Sequence, residues 1–152
     1  MTFFTSEFEC KLDAKGRLVL PSRIKAQLPD PDSHRDGGEE LVIRKGFEPC
    51  LILYPMVEFK KVFSKISGLN EFNEEYRKLQ RNFLSGVVTV ELDNNGRFLI
   101  PKNMLTYASL EKEAMLVGTG NKVEVWNPSI YEKHQITDPG ELSKLAGKYL
   151  NE

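Results

Sequence analysis

A ten-residue segment occurs twice in this chain. Leu12 to Pro21 reads L-D-A-K-G-R-L-V-L-P, and Leu92 to Pro101 reads L-D-N-N-G-R-F-L-I-P. The shared pattern is L-D-x-x-G-R, three apolar residues and a proline. The likeness extends backward at the same offset: Phe8, Cys10 and Leu12 alternate with Glu7, Glu9 and Lys11, as Val88, Val90 and Leu92 alternate with Val87, Thr89 and Glu91. Alternation with period two marks a half-buried strand, and it puts Cys10 on the apolar face in register with Val90. Forward of the motif, Pro21 and Pro101 suit a first helical position. Ile24 and Leu28, like Met104 and Ala108, are four apart and share one helical face.

Each copy then offers a second strand pair. Leu41-Val42-Ile43 turns through residues 44–49 into Cys50-Leu51-Ile52-Leu53-Tyr54, and Met115-Leu116-Val117 turns through residues 118–122 into Val123-Glu124-Val125-Trp126. The unit is strand, turn, strand, short helix, strand, turn, strand, helix. Strands this short do not each enclose a core, so two copies that interleave their hairpins into one shared barrel are the economical solution. The expected organisation is a first repeat over residues 1–55, connecting helices over 56–84, a second repeat over 85–128 and a C-terminal helical extension over 129–152. Met56, Phe59, Phe63 and Ile66 share one helical face; so do Phe72, Tyr76, Leu79 and Phe83, in a helix expected to start after an Asn70 cap, with Gly68 between the two. Asp138-Pro139 caps a last helix with a stripe of Leu142, Leu145, Tyr149 and Leu150. Core packing accounts for most of these positions, and their surplus of large apolar residues suits contact between subunits. The segment from Pro29 to Glu40, rich in Pro, Asp and Gly, reads as an exposed, mobile loop.

The 152 residues carry 21 Lys and Arg against 22 Asp and Glu, a net charge of −1. Nothing global therefore drives the chain toward nucleic acid, and any such binding must rest on local clustering or on multiplication of a basic patch by assembly. No apolar run approaches the ~20 residues of a membrane span. The first eight residues lack a basic stretch followed by an apolar one, so a cytoplasmic protein without a signal peptide is expected. Cys10 and Cys50 have no C-x-x-C spacing and no nearby histidine, which fits small buried hydrophobes better than a disulfide or metal site.

The D-x-x-G-R element sits at the bend between two strands. Asp suits the first turn position because its carboxylate can accept the N–H two residues on, and Gly suits the fourth, where φ can be positive. Turn geometry alone thus accounts for Asp13, Gly16, Asp93 and Gly96. It does not call for arginine at 17 and 97. An exposed pair with the turn aspartate is worth only ~0–1 kcal/mol, whereas a planar guanidinium can grip a phosphate or a guanine edge with two hydrogen bonds. Arg17 is accordingly read as a DNA contact. Lys11, Lys15, Arg17, Arg23 and Lys25 face only Asp13 in copy one, while copy two has Arg97 and Lys102 against Glu91 and Asp93. Copy one carries the better phosphate surface; copy two is assigned more to folding and assembly. Lys78 and Arg81 read as a solvated helix face.

With both motifs in place, D-A-K-G-R-L-V-L-P-S-R and D-N-N-G-R-F-L-I-P, the chain resembles the MraZ family of the AbrB-like transition-regulator superfamily over nearly its whole length. The resemblance implies a mainly β fold with flanking helices: a double-split, swapped-hairpin β-barrel built from two internal AbrB-like repeats. It implies a closed homo-oligomeric ring that binds short direct repeats in double-stranded promoter DNA, regulates the bacterial division and cell-wall gene cluster, and is associated with the nucleoid. The family's DNA-contacting arginine maps onto Arg17 and, by repeat symmetry, Arg97; Lys15 and Arg23 fall on the same face. Two departures stand out: the loop from Pro29 to Glu40 is longer than the family's usual, and Lys102-Asn103-Met104-Leu105 lacks the arginine expected late in the second motif.

An enzyme is disfavoured. His34 and His134 have no repeated acid, Ser or Cys partner, and there is no phosphate-binding loop, nucleophile elbow or metal-ligand cluster. No cofactor, metal or small-molecule ligand is expected. The stronger rival is a protein-interaction module of the same fold that does not bind DNA, in which Arg17 is dispensable and the apolar helix faces are not.

Overall fold

The structure, a computed structural model, describes residues 3–28 and 40–150; most of the loop from Pro29 to Glu40, with His34 in it, lies outside the described residues. In chain order the elements are β1 (Glu7–Lys11), β2 (Arg17–Val19), α1 (Ser22–Lys25), β3 (Glu40–Lys45), β4 (Leu51–Pro55), α2 (Met56–Ser67), α3 (Glu74–Leu84), β5 (Val88–Glu91), β6 (Arg97–Leu99), α4 (Lys102–Tyr107), β7 (Glu113–Gly118), β8 (Val123–Trp126), α5 (Pro128–His134) and α6 (Pro139–Leu150). The chain is thus mainly β with flanking helices, and the order of elements in the first repeat recurs in the second.

The strands form a six-stranded sheet in the order β1-β7-β8-β4-β3-β5 and a separate two-stranded ribbon, β2-β6. Read from either end, the sheet order is the same with the two copies exchanged. Its centre is the β4–β8 pair, where Ile52 stands opposite Glu124. The outer strands are swapped: β1 of the first copy pairs with β7 of the second, and β5 of the second pairs with β3 of the first. Cys10 stands opposite Ala114 and Val90 opposite Leu41, so Cys10 and Val90 are equivalent. Interleaving is the form the fold takes; the ladders make a sheet and a ribbon joined at the Leu12–Leu18 bridge.

The core lies between the ribbon and one face of the sheet. Leu18, Leu20, Phe98 and Ile100 from the two motifs bury against Leu41, Ile43, Leu51, Leu53, Leu116, Val123 and Val125. Burying each such side chain contributes on the order of 1.5–3 kcal/mol. Ile24 and Met104, the inward residues of α1 and α4, close this core as their spacing predicts; Pro21 and Pro101 stand one position earlier than expected, as N-caps. The other sheet face is covered by α2, with Phe59 edge-on to Tyr54 at 5.5 Å between ring centres, and by Trp126 against Tyr131 of α5.

One expected cap is displaced. α3 is capped by Asn73, whose side chain accepts the N–H of Tyr76. Asn70 instead accepts the N–H of Phe72 in a turn ahead of the helix. Both residues are asparagine and both can fold back on a backbone N–H; Asn73 has the acidic residues Glu74 and Glu75 in the first helical turn behind it, which the helix dipole favours. Asp138 receives the N–H of Gly140 at the start of α6 as expected.

Candidate nucleic-acid interface

The two D-x-x-G-R turns have the same internal geometry. Asp13 Oδ1 accepts the backbone N–H groups of Lys15 and Arg17, both at 2.9 Å, and Oδ2 accepts Arg17 Nε at 2.7 Å. Asp93 does the same for Asn95, Arg97 and Arg97 Nε, all at 2.9 Å. Gly16 and Gly96 take φ of 84° and 73°, the left-handed region open to glycine without a Cβ clash. Backbone hydrogen bonds hold both carboxyls below the usual aspartate range, each led by the N–H of the following arginine. The aspartate therefore fixes both the turn and the guanidinium. Its bond runs to Nε, on the inner side of the guanidinium fork.

The β2–β6 pairing then brings the two motifs onto one surface. Arg17 stands opposite Leu99, Leu18 opposite Phe98, and Val19 opposite Arg97. Because successive residues on a strand point to opposite faces, Leu18 and Phe98 enter the core while Arg17, Val19, Arg97 and Leu99 share the outer face. There the two arginines lie on one diagonal and the two aliphatic residues on the other. The side chains of Arg17 and Arg97 are 33% and 30% exposed, and Val19 and Leu99 are 53% and 54% exposed. The two arginines are thus neighbours despite lying eighty positions apart in the repeat. The aliphatic pair is not distinguished in the sequence, where "three apolar residues" conceals that the outer two are buried and the middle one is exposed.

The turns also clasp one another. Leu20 N–H donates to Gly96 O at 2.9 Å, and Ile100 N–H donates to Gly16 O at 3.0 Å. This clasp carries Lys25 across to the second motif: its Nζ lies 3.7 Å from where a Cβ on Gly96 would stand. Lys25 thus serves the turn of copy two, although its sequence neighbours are all in copy one. Lys15 is exposed in the first turn. Four cations, Lys15, Arg17, Lys25 and Arg97, therefore gather around two carboxylates that already hold the arginines.

The other basic residues singled out in the sequence line clefts or pair on the surface. Lys11 stands opposite Glu113 in the β1–β7 ladder and borders a cleft with Asp13, Glu111 and Glu113. It also lines an open cleft along β1 with Glu7, Glu9 and Val19. Arg23 lines a cleft with Phe3, Phe4, Ser6 and Phe8. Lys78 pairs with Glu74 on an exposed stretch of α3.

Other reactive groups have packing partners. Cys10 and Cys50 are free thiols on opposite faces of the sheet. Burial pushes Cys10 up to about 11; burial, aided by Glu124 and Glu48, pushes Cys50 up to about 12. Such thiols are inert at neutral pH. His134 rests on the Trp126 ring at 5.0 Å between ring centres. Among the described residues, no three His, Cys, Asp or Glu side chains converge as a metal site, and no helix is long and apolar enough to cross a membrane. Arg44, which sequence reasoning passed over as a turn residue, is buried: its Nε and Nη2 donate to Tyr54 OH at 3.1 and 2.7 Å, and its guanidinium lies 4.7 Å from the Phe83 ring centre. No pattern of period or spacing marks it, because the cage comes from three separate segments.

Comparison with known proteins agrees with the repeat. The family model described as "MraZ protein, putative antitoxin-like" matches twice, over residues 3–82 and 83–144. Among its relatives, a "Transcriptional regulator MraZ" of Cytophaga hutchinsonii is 54% identical over 150 residues, covering 99% of this chain and 96% of the relative. One from Christiangramia forsetii is 44% identical over 140 residues, covering 91% and 87%. One from Pseudomonas aeruginosa is 39% identical over 136 residues, covering 90% and 87%. With two family matches laid end to end and relatives this similar along nearly the whole chain, the protein belongs to the MraZ family.

Proposed function

We propose that this chain is a sequence-specific DNA-binding transcriptional regulator of the bacterial division and cell-wall gene cluster, and that it binds direct repeats in promoter DNA as a ring of identical subunits in the cytoplasm, on the nucleoid. Regulation of transcription is what the names of its relatives state. The observation that carries the DNA reading is the outer face of the β2–β6 ribbon, with Arg17 and Arg97 presented together and each held in place by a turn aspartate. A two-stranded ribbon fits the major groove of B-DNA, where arginine can bond bidentately to guanine. Lys15 and Lys25, beside the turns, suit the flanking phosphates. Lys11 and Arg23 are peripheral contacts on this reading, and the aspartates and glycines are the turn's scaffold.

Assembly supplies what one subunit lacks. Four cations make a small footprint on a chain of net charge −1, and effective concentration multiplies such footprints when several engage successive repeats. α3 and α6 bury no residue in the chain itself and expose Tyr76, Leu79, Leu142, Leu145 and Tyr149, faces suited to neighbouring subunits.

The deciding experiment is fluorescence anisotropy with the DNA immediately upstream of the protein's own gene, for wild type and Arg17→Ala, across a salt series. Salt-sensitive binding that falls in the variant with assembly intact is the expected result. Equal affinity of both proteins removes Arg17 from the interface, and no binding by either leaves the protein-interaction module as the better reading.

A further inference from the structure

We infer that Val19 and Leu99 read thymine through its 5-methyl group, so that the ribbon recognises an apolar feature of its operator as well as guanine; this rests on the DNA reading above. The two side chains are over half exposed on a face whose other occupants are arginines. Each stands directly opposite an arginine across the ribbon, Val19 opposite Arg97 and Leu99 opposite Arg17, so cross-strand neighbours lie within about 5 Å. An arginine that reaches a base edge therefore carries its aliphatic neighbour into the groove with it.

What an aliphatic group meets there is restricted by chemistry. Guanine, adenine and cytosine present hydrogen-bonding groups on their major-groove edges, and covering one with a methyl group strips its water without replacing the bond. Thymine alone presents a methyl group. Arginine at Arg17 and Arg97 and aliphatic residues at Val19 and Leu99 thus make a surface with two chemically different readers, duplicated by the pseudo-two-fold relation of the motifs. Core packing does not account for the pair, since Leu18 and Phe98 fill the core side of the same strands.

The test uses the upstream duplex amplified once with dTTP and once with dUTP and primers that carry uracil in place of thymine, which removes every 5-methyl group and leaves base pairing unchanged. Wild type and Val19→Ser/Leu99→Ser are titrated with both, and circular dichroism checks the fold of the variant. Wild type is expected to bind the thymine duplex at least about fourfold more tightly, the value of one buried methyl group, and the variant to bind the two duplexes alike. Equal affinity of wild type for both duplexes overturns the inference while the DNA reading stands. A preference that survives in the variant also overturns it, because the preference then arises from DNA shape or another residue. No binding to either duplex overturns the DNA reading and this inference with it.

Discussion

Lys25 and Leu105 stand at equivalent positions of the two repeats, and each lies against the turn glycine of the other. Leu105 Cδ1 is 2.8 Å from where a Cβ on Gly16 would be, and Lys25 Nζ is 3.7 Å from the corresponding point on Gly96. One turn is therefore braced by an apolar side chain and the other carries a mobile cation. Gly16→Ala and Gly96→Ala should each cost about 1–2 kcal/mol for left-handed backbone at a residue with a Cβ. Gly16→Ala should cost up to about 1 kcal/mol more, because Leu105 must leave its rotamer. Urea denaturation of the two variants checks the order; equal losses would mean that Leu105 yields freely.

The same asymmetry separates phosphate contact from base reading. Lys25→Leu gives the second turn the side chain that the first already has, so folding should be unaffected. On the proposed interface it should weaken binding evenly across DNA sequences and reduce the salt slope by about one unit. Arg97→Ala should instead relax discrimination by about 1–3 kcal/mol at one base pair. Anisotropy against operator and scrambled duplexes distinguishes the two, and a sequence-dependent loss in Lys25→Leu would move that residue to a base edge.

Acid should loosen the turns. Asp13 and Asp93 are both held below their ordinary value of 3.8 in the folded chain. A group whose folded pKa is depressed contributes stability that is fully present above the unfolded pKa and lost as pH falls through the folded one. The contribution is therefore intact at neutral pH and disappears below the ordinary aspartate range. Asp13→Asn/Asp93→Asn should flatten this acid limb in denaturation curves taken across that range. An unchanged limb would assign acid sensitivity to other carboxylates.

The repeat made the swapped pairing legible, because strands too short to bury a core alone recur in the same order in both copies. Burial followed the same logic: Leu18, Phe98, Ile24 and Met104 are inside as alternation and helical spacing require. What alternation could not decide was the outward residues, where Val19 and Leu99 look in sequence like more of the same apolar run. Charge counted along the chain assigned Lys25 to copy one, whereas the clasp between Leu20 and Gly96 moves it beside copy two. Asn70 and Asn73 offer the same cap chemistry three residues apart, and only the course of the backbone chooses between them.

Arg44 gives a prediction about stability alone. It is 8% exposed, and two of its nitrogens donate to the single hydroxyl of Tyr54. Tyr54→Phe should cost about 1–3 kcal/mol, since it leaves buried charged donors without their acceptor. Arg44→Met combined with Tyr54→Phe should cost less than the sum of the single changes, because each removes the group that the other orphans. Additive losses in a double-mutant cycle would show that the ring of Phe83, rather than the hydroxyl, holds the cation.

α6 separates assembly from folding. None of its residues is buried, and Leu142, Leu145 and Tyr149 form one exposed stripe. Replacing Leu142 and Leu145 with Asp removes no core contact, so the thermal transition of the subunit should shift little. If the stripe lies between subunits, two carboxylates there are desolvated without partners, and the mass measured by light scattering should fall to that of smaller species. DNA affinity should then drop by more than tenfold with every residue of the ribbon unchanged, because the loss is of simultaneous engagement rather than of contact. An unchanged mass places the joint elsewhere, and the exposed face of α3, with Tyr76 and Leu79, becomes the surface to alter next.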